Sequence, residues 1–465
     1  MPYLNEVAQY NSIRRISEST RIREILRRYK LTAPPVAEAA GSELYTLIAR
    51  DQLNSGVKVE LPDYVLSIDG SYAEVPVANG FASAKVGYTT ISDVLLHLTK
   101  LNELDANRPV DPREMRKTQT SGAADTVLAG CNITFDGELD PQSSFRRGVI
   151  DLFRDQRAFE DGETLLETYE ALLAYKPMVP VQACPYAEAC GHEDPQQAFR
   201  RVSGTSSCSC PLRLSCHSTD ALRIYERFNP LGENGTAFGE VIHVTERLWL
   251  MHILRSMERR KMFEALSKLA IVLDGPLAVF GRPGWLSRAI SRELQRINKV
   301  VRKETGKDLF LVGIEKSGIF VEHFAKLCRE ENLERSDIKI PKETALLPTD
   351  EYIRRFVVYS KNTHPYGDVT YFGRKFFYRT KTGSQIVATL PFLDLKHRDL
   401  NTALPEQYPR LIDALNLFDA LGSSRYPNAL VPVSLAHGEA SIPLRLGSRV
   451  LEVLARELIP SDNLV

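Results

Sequence analysis

Two short apolar runs in this 465-residue chain end in an aspartate followed by glycine. Tyr64 to Asp69 reads YVLSID before Gly70, and Ile271 to Leu273 leads into Asp274 and Gly275. Glycine lets the backbone turn sharply after the acid, so both carboxylates are expected at strand ends, presented to solvent and not lost in a sheet. Helical phase suggests a third. Val244 to Leu269 contains neither Gly nor Pro and reads as one long helix. At about 100° per residue, Glu258 shares a face with Met251, Leu254, Met262, Ala265 and Leu269, while Glu246 and Glu264 fall about 120° away. A glutamate inside an apolar stripe is costly unless it is paired or holds a cation. Its plain alternative is a stripe-edge residue bonded to a neighbouring arginine. A third strand, Leu309 to Ile314, is followed by Glu315 and Lys316, an acid and a base at one strand end.

Cysteine supplies a second constellation. Five of the seven cysteines, Cys184, Cys190, Cys208, Cys210 and Cys216, fall within 33 residues, and C-P-x4-C occurs twice, at Cys184–Cys190 and Cys210–Cys216. Four thiolates from two such knuckles would satisfy a tetrahedral Zn²⁺ and tie down a loop poor in apolar residues, with Cys208 as the spare. His192 and His217 stand beside the knuckles as substitute ligands. An iron–sulfur cluster also takes four cysteines, a disulfide is disfavoured inside a cell, and unrelated buried thiols would need no metal. Either metal would be structural, since four thiolates leave no open position.

The elements that must carry these groups are those of an ordinary globular protein: 43% hydrophobic, 25% charged, Lys+Arg and Asp+Glu both 59. A formal net charge of zero gives no long-range pull on a polyanion. Charge is concentrated instead between Arg14 and Lys30, where seven basic residues face two glutamates while Ile13, Ile16, Ile22, Ile25 and Leu26 recur at helical spacing. That segment predicts a basic amphipathic helix, either a solvated face or a docking surface for nucleic acid or a partner. No apolar run approaches the roughly 20 residues that span a bilayer, and no secretory leader is visible, so a cytoplasmic protein is expected. Helices are also expected near Ile91 to Leu104, Phe145 to Tyr175 and Leu444 to Leu458, and a strand pair with RKFFYR and SQIVATLPF flanking KTG.

Taken in order, LSIDGS, a long glutamate-bearing helix leading into IVLDGPL, a strand with VGIEKS, and YP…AH near the C-terminus resemble the NurA family of nucleases over residues 60 to 445. The resemblance implies an α/β fold with an RNase H-like mixed sheet flanked by helices, here carrying a cysteine-rich metal-binding insertion. It implies that Asp69, Glu258 and Asp274 bind the catalytic Mn²⁺ or Mg²⁺, with Tyr426 and His437 as the family's tyrosine and histidine. It implies 5′ to 3′ exonuclease and single-strand endonuclease action on DNA, a homodimer, and a HerA-type hexameric ATPase partner, in end processing or anti-phage defence. Two departures stand out: the Asp69 to Glu258 interval is longer than in compact members, and so, slightly, is Tyr426 to His437.

In-line phosphodiester hydrolysis needs charge neutralisation and an activated water, which two carboxylate-held divalent cations supply. Hard oxygen donors suit Mg²⁺ or Mn²⁺ and set that centre apart from the cysteines. His437 could position the water or protonate the leaving oxygen, and Lys316 could hold a phosphate. The expected organisation is a basic helical region over 1–60, nuclease core over 61–177 and 219–465, and the cysteine insertion over 178–218. The competing class is a zinc-stabilised module that binds nucleic acid or a partner without cutting. The absence of G-x-x-x-x-G-K-[ST] and G-x-G-x-x-G disfavours an enzyme of small phosphorylated molecules.

Overall fold

The computed structural model describes residues 10–30, 44–53, 61–77, 83–102, 117–176, 185–186, 203–208, 213–328, 340–359, 364–422, 430–441 and 446–459. Residues 1–42 form one unit and 43–465 another. In the first, α1 (Tyr10–Glu18) and α2 (Thr20–Arg28) are separated by Ser19, whose hydroxyl accepts from the Ile22 N–H and caps α2. Ile13, Ile16 and Leu26, on the apolar stripe, are exposed, and α2 has no buried residue among the described ones. The helical region expected over the first 60 residues ends earlier, because Tyr45–Ala49 is a strand.

The second unit is built on a mixed nine-stranded sheet, ordered β1-β9-β10-β11-β8-β7-β2-β3-β4 among the described residues. Its strands are β1 (Tyr45–Ala49), β2 (Tyr64–Pro76), β3 (Lys85–His97), β4 (Gln119–Ala129), β7 (Leu269–Asp274), β8 (Phe310–Glu315), β9 (Thr344–Pro348), β10 (Gly373–Arg379) and β11 (Gln385–Pro391). β2, β3 and β4 form an antiparallel meander, β7 runs parallel to β2, and β8 runs parallel to β7. A separate hairpin, β5 (Thr205–Ser207) and β6 (Ser215–His217), carries two of the cysteines.

Apolar helices cover both faces. On one lie α3 (Pro141–Asp155), α4 (Leu165–Leu173), α5 (Gly235–Arg259) and α6 (Trp285–Thr305), packed on Leu66, Ile68, Ile271 and Leu273. Farther along that face, α7 (Ile319–Cys328) covers Phe377 and Val387. The opposite face, with Val65, Val272 and Val312, is closed by α8 (Leu411–Leu421) and α9 (Val431–Ala440). A last helix, α10 (Leu446–Leu458), packs against the outer half of β2. Among the described residues no helix is long and apolar enough to cross a membrane.

Two expectations are corrected. Ile91 to Leu104, expected helical, is the second half of β3 followed by one helical turn. Its hydrophobic content serves two faces of a central strand, with Ile91, Val94 and Leu96 all buried, and so does not alternate cleanly. Asp69 also does not end its strand: β2 continues seven residues beyond it, paired with β3 alone after β7 stops. Gly70 therefore serves a close approach and not a turn, for a Cβ there would lie 2.7 Å from the side chains of Ile242 and Ile91. Gly275, with φ 90°, does make the turn expected after β7.

Candidate metal centre

Where β7 stops beside the continuing β2, Asp69 and Asp274 project from adjacent parallel strands. α9 crosses above them and brings in His437. Ligand atoms of Asp69, Asp274 and His437 all lie within 4.8 Å of one another. His437 Nδ1 donates to Asp69 Oδ2 at 2.8 Å. Lys316, just past the end of β8, donates from Nζ to Asp274 Oδ2 at 2.7 Å. Four of the residues singled out in the sequence, 69, 274, 316 and 437, thus converge from four separate elements.

Electrostatics mark the pair as crowded. Burial, and then the charge of Asp274, push the Asp69 carboxyl above its ordinary range, against the hydrogen bond and charge of His437 and the charge of Lys316. Asp69 is paired with Ser92 of β3 and Asp274 with Ile314 of β8, each directly beyond the last β2–β7 pair, Ile68 with Leu273, so both acids stand on strand backbone at the edge of a continuous ladder.

Glu258 does not join them. It accepts two hydrogen bonds from Arg296, at 2.8 and 2.5 Å, near the C-terminal end of α5. The glutamate that approaches the aspartates is Glu246, 12 residues earlier and about 18 Å away along the helix axis. Glu246 is buried, pairs with Arg247, and accepts from the Gly70 N–H. Burial first, and the charges of Asp69 and Asp274 next, push its carboxyl up to about 8 despite Arg247. The phase argument failed because Val244 to His252 of α5 is buried on every side, so the stripe through Glu258 is not the helix's one inner face. A usable signal was the Glu246–Arg247 doublet inside an otherwise apolar run, which asks for buried partners at that level of the helix.

A divalent cation fits this donor set. Three carboxylates face two fixed cations, Lys316 and Arg247, and oxygen donors with one imidazole suit Mg²⁺ or Mn²⁺.

No family model and no curated protein matches the chain. Among solved structures it is similar to the NurA nuclease from Sulfolobus solfataricus, with 10% identity, a TM-score of 0.32, and 97% of this chain and 96% of that one covered. A structure of NurA aligns with 12% identity, a TM-score of 0.26 and coverage of 98% and 99%. NurA with manganese aligns with 12%, 0.22, and 97% and 99%. At these values it is the geometry of the site that bears on function.

The remaining expectations concern residues apart from this cluster. Tyr426, Cys184, Cys190, Cys210 and His192 lie outside the described residues. Cys208 and Cys216 are both buried, not in a disulfide, and packed with Tyr186 and Leu214. Cys208, expected to be the spare, thus stands in the same cluster as Cys216. Pairing of Ser206 with Cys216 puts both thiols on one face of the hairpin. His217 bonds Thr205 through Nδ1 at 3.0 Å, and burial holds its imidazole down to about 4. The hairpin is fastened to α3 by a buried, two-pronged ion pair from Arg146 to Asp220 at 2.7 and 2.6 Å, with a third bond to the Ser215 carbonyl.

Proposed function

We propose that this chain is a metal-dependent DNA nuclease that hydrolyses phosphodiester bonds at Asp69, Asp274 and His437. The convergence of these three groups within 4.8 Å, from β2, β7 and α9, carries the reading. The strand arrangement supports it: the meander and the two parallel strands read 3-2-1-4-5 from β4 to β8 when numbered β2, β3, β4, β7, β8. That order fits the RNase H-like core implied by the sequence resemblance.

Bound there, Mg²⁺ or Mn²⁺ would neutralise charge at the scissile phosphate and lower the pKa of an attacking water. Asp69 and Asp274 are the ligands, and Glu246 takes the third carboxylate role first assigned to Glu258. Lys316 sits where it can hold a phosphate oxygen once Asp274 turns to a cation. His437, exposed and oriented by Asp69, can hold or pass a proton at the ring nitrogen that Asp69 does not use.

The family resemblance extends the proposal to 5′ to 3′ exonuclease and single-strand endonuclease action, a homodimer, a HerA-type hexameric ATPase partner, a cytoplasmic setting, and a role in end processing or anti-phage defence. For the cysteine segment we propose structural Zn²⁺, with Cys184, Cys190, Cys210 and Cys216 as first candidates and Cys208 beside them; iron found together with sulfide would replace zinc.

The test is digestion of end-labelled single- and double-stranded DNA with Mn²⁺, Mg²⁺ or EDTA, beside folded Asp69→Ala and Asp274→Ala. Cleavage that needs the metal and vanishes in both variants is expected. DNA binding without cleavage under every condition would overturn the nuclease and leave a binding module.

A further inference from the structure

The chain that leaves Asp274 does not run free. Residues 275–284 lie along α5 and are fastened to it once per turn. Arg247 Nη2 donates to the Pro276 carbonyl at 3.4 Å, His243 Nε2 accepts from the Phe280 N–H at 3.4 Å, and the Glu240 carboxylate accepts from the Arg282 N–H. Glu240, His243 and Arg247 are spaced three and four residues apart and so share one face of the helix. The strap buries Leu277, Ala278 and Val279 completely, yet leaves Phe280 40% exposed. Its ring stacks on His243, with centroids 5.5 Å apart and planes 19° from parallel, and meets the buried Tyr371 edge-on at 5.7 Å. Burial and the nearby Arg247 hold His243 neutral, which lets it accept the Phe280 N–H. His243 is three residues from Glu246 on the same helix face, and Phe280 is six residues past Asp274, so this aromatic stack lies about one helical turn from the glutamate that approaches the aspartates.

Two exposed arginines follow Phe280 closely in the chain, Arg282 at the end of the strap and Arg288 in the first turn of α6. The side chains of Arg282 and Arg288 are 55% and 53% exposed, paired with Glu226 at 3.1 Å and Asp368 at 3.3 Å. Exposed pairs of this kind are worth little and exchange readily for a phosphate. A fixed, half-open aromatic face, with exchangeable guanidinium groups on the chain that follows it, matches what an unpaired strand offers: a base to stack and phosphates to pair. A duplex keeps its base faces covered except at its ends.

Resting on the nuclease reading, we infer that Phe280, stacked on His243, is a base-stacking platform that holds single-stranded DNA beside the metal centre. The experiment measures binding of a labelled 20-nucleotide single strand and a blunt-ended hairpin duplex, by fluorescence anisotropy with EDTA present, to wild type, Phe280→Ala and Phe280→Trp. Circular dichroism first establishes that both variants are folded. Phe280→Ala is expected to weaken single-strand binding about tenfold and duplex binding less than twofold, and Phe280→Trp to restore it. Equal single-strand affinity in wild type and Phe280→Ala, or equal losses on both substrates, would overturn the platform while leaving metal-dependent cleavage standing. Failure of wild type to cleave with any metal would instead remove the nuclease reading beneath it.

Discussion

α5 carries Glu246 near its middle and Glu258 near its end, and the two glutamates sit in opposite electrostatic company. Around Glu258 every carboxylate has a guanidinium. Arg255 bridges Glu163 and Glu293, Arg296 bridges Glu293 and Glu258, and Arg259 adds a bond to Glu163 at 2.6 Å. Tyr175 and Thr168 donate to the same acids. Around Glu246 the carboxylates outnumber the cations: burial first and then Asp274 raise the Asp69 carboxyl, and burial first and then Asp69 and Asp274 raise that of Glu246. A completed ion-pair network holds elements together; an incomplete one calls for a cation from solution. Burial alone does not distinguish them, since acids beside the middle of the helix and beside its end are buried.

The contrast breaks most sharply at the aspartates. Asp69→Ala and Asp274→Ala are each expected to lower metal-dependent cleavage about a thousandfold or more, several kcal/mol of transition-state stabilisation, while leaving the unfolding midpoint in EDTA unchanged or raised because a repulsion is gone. Equal loss of fold and activity would make these carboxylates structural.

Next comes Arg255→Ala at the satisfied end. It leaves Glu163 and Glu293 buried beside a missing charge and is expected to cost about 3–5 kcal/mol in denaturant unfolding. Metal affinity of the protein that remains folded should be unchanged, which calorimetric Mn²⁺ titration can check.

His252 sharpens the same end through pH. Its Nε2 accepts the Ala158 N–H at 2.9 Å and its Nδ1 bonds Thr168 at 2.8 Å, an arrangement that requires neutral imidazole. Burial holds its pKa down to about 4, against 6.5 in the unfolded chain. Below pH 6.5 the unfolded state takes up the proton first, so this contribution is complete above 6.5 and is lost as pH falls towards 4, about 3 kcal/mol in all. Thermal melts from pH 7 to 4 should show the decline, and His252→Gln should flatten it.

The smallest effects come from exchanging the two glutamates. Glu246→Gln is expected to cut cleavage about a hundredfold with little change in stability, and Glu258→Gln to leave cleavage within twofold while lowering stability by about 1 kcal/mol. Reversed outcomes would return the third carboxylate to Glu258.

How much of this was legible in the chain depended on whether the signal was local. β7, β8 and the β10–β11 hairpin are short apolar runs with turn residues at their ends, and they appear where expected. Asp69 and Asp274 are readable because each follows a run of buried strand residues and precedes glycine, although the two glycines do different work. Glu246 was not readable by phase, because a helix enclosed on all sides near its middle has no single stripe. β3 was mistaken for helix because both of its faces are covered. The strap under Phe280 had no sequence signal at all: its three fastenings pair residues 29 to 42 positions apart.

The hydrogen bond between Asp69 and His437 closes a loop of 368 residues. During synthesis both aspartates emerge before the histidine, so a chain that has not yet reached α9 holds the acids without their histidine. The proposed cutting activity would therefore switch on only once α9 has folded onto β2 and set His437 against Asp69.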